Sequence, residues 1–238
     1  MHVAPHTSDL VRRIGTALVD SSTAAPPGPY SLCVITDEQI SRLRHREVAA
    51  QALEGGATMI QLRDKGGDLR SLYGEAVAIR QLCRRHRRLF IVNDRLDVAL
   101  AAEADGVHLG QEDLPARLAR PLLHPGMLLG ISTHSVEEAR EAEAAGADYI
   151  GFGPVFPTGT KTGTRPTVGL DGIRVVKAAV ELPVLAIGGI TLERVSEVVH
   201  AGADGVAVIS AIVGSGRITA VCRQFLSRIQ EGLAQERH

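Results

Sequence analysis

Four segments of this chain share one pattern, in which a helix ends at small residues and a short apolar strand follows at once. They are EGGATMIQLR (54–63), EADGVHLG (103–110), AGADYIGFG (145–153) and AGADGVAVIS (201–210). The strands end in residues that are unusual in a packed core, namely Gln61, Arg63, His108, Gly151, Gly153 and Ser210. A repeated strand–helix unit with polar residues at the strand C-termini is typical of one α/β fold, the (β/α)8 TIM barrel, whose active site lies at that face.

The rest of the chain continues this alternation of strands and helices. Short apolar runs predict strands at about 30–36, 57–63, 89–93, 105–109, 127–132, 148–152, 183–187 and 205–209. Helical patterns lie between them at about 39–54, 68–87, 95–103, 114–121, 135–145, 170–181, 191–200 and 217–231. Eight of each in 238 residues fit one barrel of about 250 residues. We therefore expect one catalytic domain at 30–238, preceded by an N-terminal extension and linker at 1–29.

The composition argues against several classes of partner. A net charge of −1 and 3% aromatic residues favour neither nucleic acid nor an anionic membrane. The basic run RRHRR (84–88) is interpreted as the solvated end of a helix. No apolar run approaches the ~20 residues of a membrane span, and three cysteines without CxxC spacing favour reduced thiols. We expect a cytoplasmic protein that acts on small molecules. The sequence leaves open whether the chain forms a homo-oligomer.

Basic and amide side chains follow the second predicted strand. Gln61, Arg63 and Lys65 alternate along this strand end. Arginine offers a planar fork and lysine a mobile point charge, so the pair could clamp an anion. The alternative is a surface ion pair with Asp64 or Asp68.

Carboxylates follow the third and fourth predicted strands. Asn93 and Asp94 come directly after one strand, and Asp113 ends the GQED segment after the next. Each could simply cap the helix that follows. Together, the two aspartates could hold Mg²⁺, which typically takes one or two carboxylates plus substrate phosphates.

Two further polar residues belong to strands 4 and 5. His108 is either a base or, as a lone histidine more often is, a polar residue satisfied within the core. Ser132 ends strand 5 at the catalytic face, whereas Ser135, three residues before Glu138, is the credible cap of the next helix.

Loops suited to phosphate follow the last two strands, and a long connection follows strand 6. GGIT (188–191) and VIS (208–210) follow strands 7 and 8, where barrels frequently bind phosphate, and glycine lets a backbone approach an oxyanion. The connection at 153–169 is rich in Pro, Gly and Thr and has no periodicity. A loop of about 15 residues in a compact domain is usually functional or disordered, so we expect a lid, which carries Lys161.

Taken in order, these motifs resemble the thiamine phosphate synthase family. They are QLRDK (61–65), VND (92–94), HLGQED (108–113), GIS (130–132), GPVFPTGTK (153–161), IGGIT (187–191) and VIS (208–210). Each motif is short, but seven in the same order at fitting spacings make chance similarity improbable. The resemblance covers about 30–212, nearly the whole barrel.

The resemblance implies a Mg²⁺-dependent transferase. Such an enzyme joins 4-amino-2-methyl-5-(diphosphooxymethyl)pyrimidine to a thiazole phosphate, carboxylated or not, and releases thiamine phosphate and diphosphate. It implies Asp94 and Asp113 as metal ligands and Lys161, Ser132 and Arg63 as catalytic residues. With His108 added, the substrate-binding residues are Gln61, Arg63, Lys65, Asn93, His108, Ser132, Thr158, Gly159, Thr160, Lys161, Gly189, Ile209 and Ser210.

Three other functions remain as alternatives. A thiazole tautomerase has the same fold but needs neither a diphosphate site nor Mg²⁺, so the presence of Lys65, Asp94 and Asp113 argues against it. A non-catalytic phosphate-binding barrel should have lost metal carboxylates or lid residues. A Schiff-base aldolase would need Lys161 on a strand rather than deep in a loop.

Overall fold

Eight parallel strands close into a barrel in a computed structural model that describes residues 27–160 and 166–235. The strands are β1 (Leu32–Ile35), β2 (Met59–Leu62), β3 (Leu89–Asn93), β4 (Gly106–Leu109), β5 (Leu128–Thr133), β6 (Tyr149–Phe152), β7 (Val184–Ile187) and β8 (Gly205–Val208). Each strand pairs with the next one along the chain, and β1 pairs with β8, so the sheet has no free edge. The predicted TIM barrel is confirmed, and every predicted strand is present.

The connecting helices differ from the prediction mainly at their ends. They are α1 (Glu38–Ser41), α2 (His45–Glu54), α3 (Leu69–His86), α4 (Leu96–Ala101), α5 (Ala116–Ala119), α6 (Val136–Ala144), α7 (Gly169–Ala179), α8 (Val195–His200), α9 (Ser210–Val213) and α10 (Ile218–Gln235). The single helix predicted at 39–54 is two, because Arg42 adopts a left-handed φ of 60° and ends the first. The short α9 was not predicted. Within the described chain, no helix combines the length and hydropathy that crossing a membrane requires.

The repeated sequence motif has a structural role at the N-terminal end of the barrel. In each repeat, the side chain just before an even-numbered strand accepts a hydrogen bond from a backbone N–H of the preceding strand. The bonds are Leu32 N to Thr58 Oγ1 (2.9 Å), Phe90 N to Asp105 Oδ2, Leu129 N to Asp148 Oδ2 and Val184 N to Asp204 Oδ2 (2.8 Å each). Each aspartate also forms an ion pair with a basic side chain that precedes it in the chain. The pairs are Arg80 with Asp105, Arg120 with Asp148 and Lys177 with Asp204. The repeat therefore joins neighbouring strands through these four hydrogen bonds, the strand staples. They lie at the end of the barrel away from the strand C-termini.

Removing one staple is expected to destabilise the barrel. Asp105 is 6% exposed, and Asp105→Ala would leave Phe90 N–H and the Arg80 guanidinium without their acceptor. Breaking such a buried pair costs about 3 kcal/mol. Urea denaturation should show a lower midpoint for Asp105→Ala, whereas Glu103→Ala, which removes an exposed ion pair with Arg84, should change it little. Equal midpoints for both variants would show that the staple does not stabilise the fold.

Candidate active site

The C-terminal ends of the strands open into a cleft of about 1180 Å³. Most of the predicted site residues line it: Arg63, Lys65, Asn93, Asp94, Asp113, Ser132, Thr158, Thr160, Gly189, Ile209 and Ser210. Gln61 and His108 lie beneath it, in the barrel interior. Gly159 is exposed in the loop beside the cleft. Lys161 lies outside the described residues.

Arg63 and Lys65 are held by carboxylates that belong to other strand ends. Arg63 Nη1 lies 2.9 Å from Asp37 Oδ2, and Lys65 Nζ lies 2.5 Å from Asp94 Oδ2. The alternative prediction, an ion pair with Asp64 or Asp68 of the same loop, is wrong. The two cations therefore stay within the cleft rather than turning along the surface of their own loop.

The loops after β3 and β4 present their aspartates to the cleft and not to helix ends. Asp94 has a left-handed φ of 63°, which aspartate tolerates better than most residues. The helices that follow have Arg95 and Pro115 at their N-caps, without a side-chain capping bond. Asp113 Oδ2 instead accepts the Gly110 N–H at 2.7 Å. The alternative interpretation, that both aspartates cap helices, is therefore wrong.

The two aspartates lie side by side at the cleft, and the environment of Asp113 affects its ionisation. Partial burial raises the pKa of the Asp113 carboxyl, and the neighbouring Asp94 carboxylate raises it further. Lys65 offsets part of this negative charge through its contact with Asp94. Two adjacent carboxylates of this kind fit a divalent cation that completes its coordination with water and phosphate oxygens. Across 27–160 and 166–235, no cluster of three or more potential metal-ligating side chains occurs.

A buried hydrogen-bond network supports Ser132 from below. His108 Nε2 lies 2.9 Å from Ser132 Oγ, and His108 Nδ1 lies 3.2 Å from the hydroxyl of Tyr149. Gly130 makes room for this network, because a Cβ there would lie 2.5 Å from His108 Nδ1 and 2.2 Å from Tyr149 Cζ. His108 is thus buried, as the polar-core interpretation expects, and it also fixes the Ser132 hydroxyl that faces the cleft.

The glycine turn after β7 packs against the base of the predicted lid. Val155 N donates to Ile187 O at 2.9 Å and Phe156 N donates to Gly188 O at 3.0 Å. Gly189 has a left-handed φ of 64°, and a Cβ there would lie 2.6 Å from the Pro157 carbonyl oxygen. The turn and the lid base therefore form one closely packed unit that only glycine permits.

The described part of the loop after β6 also contacts the segment that follows β8. Thr160 Oγ1 donates to Ser210 Oγ at 3.3 Å, and Thr160 N donates to Thr158 Oγ1 at 3.3 Å. Ile209 and Ser210 lie where β8 gives way to the short α9, so backbone N–H groups start a helix at the cleft. The loops after β6, β7 and β8 therefore meet at one side of the cleft.

Sequence reasoning missed several residues of the cleft wall. Asp37, His45, Gln111 and His134 all line it. Gln111 Nε2 donates to the Ser132 carbonyl at 2.6 Å, and a His134 ring nitrogen lies 2.5 Å from the Gly153 carbonyl. Asp37 could have been found, since it follows the strand predicted at 30–36 as directly as Asp94 follows the strand predicted at 89–93.

The comparisons with known proteins point to one family. A family model described as Thiamine monophosphate synthase matches residues 32–212. A thiamine-phosphate synthase of Methanoculleus marisnigri is 52% identical over 209 residues, which are 87% of this chain and 99% of that protein. One of Chloroflexus aurantiacus is 48% identical over 196 residues, 82% of this chain and 90% of that protein.

The solved structures agree with this result. Thiamine phosphate pyrophosphorylase from Pyrococcus furiosus superposes with a TM-score of 0.80 at 43% identity, covering 86% of this chain and 98% of that one. A native KDPGal structure, at 18% identity and a TM-score of 0.66, shares the fold alone. Because the family model and the relatives span the whole barrel and its cleft, the chain belongs to the thiamine monophosphate synthase family of transferases.

Proposed function

We propose that this chain condenses 4-amino-2-methyl-5-(diphosphooxymethyl)pyrimidine with a thiazole phosphate, carboxylated or not, to give thiamine phosphate and diphosphate. The observation that carries the proposal is the meeting of Arg63, Lys65, Asp94 and Asp113 on one rim of the cleft. In the closed strand order, this rim, after β2 to β4, lies opposite the loops after β6 to β8, which would bind the thiazole phosphate. The cleft thus offers separate places for a diphosphate and a monophosphate.

At the first rim, the residues would bind the diphosphate and stabilise its departure. Arg63, Lys65 and Asn93 supply donors for its oxygens, and Lys161 would add a charge from the lid. Asp94 and Asp113 would hold Mg²⁺, which when bound supplies further neutralisation of the leaving charge. Positive groups fixed in place before the reaction stabilise the charge that develops as the bond to carbon breaks.

Beneath this rim, three polar side chains would orient the pyrimidine. Gln61 and His108 face the barrel interior, and the Ser132 hydroxyl is fixed by His108 at the floor of the cleft. A ring held over this floor keeps its reacting methylene carbon directed toward the thiazole nitrogen, and such alignment removes part of the entropic barrier.

At the second rim, backbone N–H groups and hydroxyls would bind the thiazole phosphate. The residues are Thr158, Gly159, Thr160, Gly189, Ile209 and Ser210. A closed lid excludes water, which would otherwise capture the pyrimidine-methyl cation. The thiazole nitrogen is itself the nucleophile, so the chain needs no nucleophilic side chain, and the described cysteines are all buried. A single catalytic domain at 30–238, a cytoplasmic location and a homo-oligomer stay predictions.

Calorimetric titration with inorganic diphosphate tests the first rim. We expect Mg²⁺ to tighten binding, and Lys65→Ala to weaken it about tenfold through the loss of one charge-assisted contact. Arg174→Ala is the matched control, because it removes an exposed cation from a helix-surface pair with Asp171, remote from the cleft lining. Binding that is unchanged by Mg²⁺ and weakened equally by both substitutions would contradict the proposal.

A further inference from the structure

A short carboxylate after β1 fixes the guanidinium of Arg63. The ion pair between Asp37 Oδ2 and Arg63 Nη1 is 2.9 Å long, and its two side chains are only 14% and 11% exposed. Asp37 Oδ1 also accepts the Ile40 N–H at 3.1 Å, as the N-cap of α1. Because both carboxylate oxygens are engaged, Asp37 has little freedom to release the arginine.

The backbone around this pair is fixed as well. Thr36 is fully buried; its N–H donates to Gln61 O at 2.9 Å, and its hydroxyl accepts the Arg63 N–H at 3.3 Å. A ring nitrogen of His45, a buried residue at the start of α2, lies 2.8 Å from the same hydroxyl. The ends of β1 and β2 therefore hold Asp37 and Arg63 in one register.

Arg63 lines the cleft, and its ion pair with Asp37 engages only Nη1 of the guanidinium. Arg63 Nε is buried and has no hydrogen-bond acceptor among the residues of the described chain. A guanidinium carries five N–H donors in a planar fork, so a carboxylate at one nitrogen leaves others for diphosphate oxygens. An arginine that is already held in place loses less side-chain entropy when it binds.

We infer that Asp37 is a positioning residue, which holds Arg63 in the orientation that engages the diphosphate of the pyrimidine substrate. The inference rests on the proposed function, because it concerns the same rim. Two effects of Asp37 oppose each other: its charge partly cancels that of Arg63, and its geometry aligns the fork. Alignment prevails here, because the pair is short, largely enclosed and tied to α1 through the second oxygen.

The variant Asp37→Asn separates alignment from helix capping. Asparagine caps helices as well as aspartate does, so α1 should persist while the ionic hold on Arg63 is lost. We expect KM for the pyrimidine diphosphate to rise and its kcat/KM to fall about tenfold, with KM for the thiazole phosphate unchanged. Asp68→Asn is the matched control, since Asp68 caps α3 through Arg70 N and Ser71 N and forms no ion pair within the described chain. It should leave both constants unchanged.

A double-mutant cycle shows whether Asp37 acts through Arg63. In an Arg63→Ala background, Asp37→Asn should cause no further loss, because its target is gone. Unchanged kinetics in Asp37→Asn, tighter binding of the diphosphate substrate, or losses that simply add would each overturn the inference. If the melting temperature of Asp37→Asn is far below that of the parent protein, Asp37→Ser replaces it in the test, because serine retains a capping oxygen. The same kinetic results are expected of Asp37→Ser.

The parent protein distinguishes failure of the inference from failure of the proposed function. An inactive parent contradicts the proposed function. The same cycle is then read from calorimetric binding of inorganic diphosphate, where non-additive losses support the role of Asp37 and additive losses overturn it.

Discussion

Asp94→Asn is expected to lower kcat by about a thousandfold, which corresponds to about 4 kcal/mol of transition-state stabilisation. Asp94 belongs to the proposed metal site and also contacts a basic residue of the first rim, since its carboxylate lies beside Asp113 and pairs with Lys65. Asparagine preserves the shape of the side chain and tolerates the left-handed backbone at this position. The loss would therefore reflect charge rather than folding. Steady-state turnover measured across a range of Mg²⁺ concentrations checks it.

Asp97→Asn is the control for this experiment. Asp97 lies three residues further on, on α4, and forms an exposed ion pair with Arg95. Removing that charge should leave turnover and the Mg²⁺ requirement unchanged. If Asp94→Asn retained full activity at the parent's Mg²⁺ concentration, the carboxylate pair would not be the metal site.

Gly189→Ala is expected to raise KM for the thiazole phosphate tenfold or more and to lower kcat. A Cβ at this position would lie 2.6 Å from the Pro157 carbonyl oxygen and 2.8 Å from Phe156 Cβ, so the lid base and the glycine turn would have to separate. Two backbone segments cannot make room as a flexible side chain does. Initial rates at varied thiazole phosphate concentrations measure the effect.

Gly216→Ala isolates the contribution of backbone strain. Gly216 has a φ of 67°, close to the 64° of Gly189, but a Cβ there would meet nothing within 4 Å. This variant should lose about 1 kcal/mol of stability and keep its substrate constants. Equal kinetic effects in the two variants would show that the packing of the lid base on Gly189 has no part in phosphate binding.

The barrel and much of its rim could be predicted because both follow from short-range patterns. Apolar runs separated by helical periodicity locate the strands, and parallel strands bring their C-terminal residues to one face. Arg63, Lys65, Asp94 and Asp113 could therefore be assigned to one rim without knowledge of any contact. The repeated motif that indicates the fold, however, contributes Thr58, Asp105, Asp148 and Asp204 to the opposite end, where they staple the strands.

The missed features depend on long-range contacts or on weak local signals. Asp37 pairs with Arg63 across 26 residues, and only the adjacency of β1 and β2 brings them together. Tyr149 begins an apolar strand, so its hydroxyl contact with His108 is invisible in the sequence. The break between α1 and α2 occurs at Arg42, a residue with no particular preference for the left-handed conformation that it adopts.

Product analysis of a complete reaction is the most direct test of the proposed chemistry. Purified protein would receive the pyrimidine diphosphate, the thiazole phosphate and Mg²⁺, with each component omitted in turn, and thiamine phosphate and diphosphate would both be quantified. We predict that the two products form in equal amounts and only when both substrates and the metal are present. Diphosphate release that does not need the thiazole phosphate, or no thiamine phosphate under any condition, would contradict the proposed condensation.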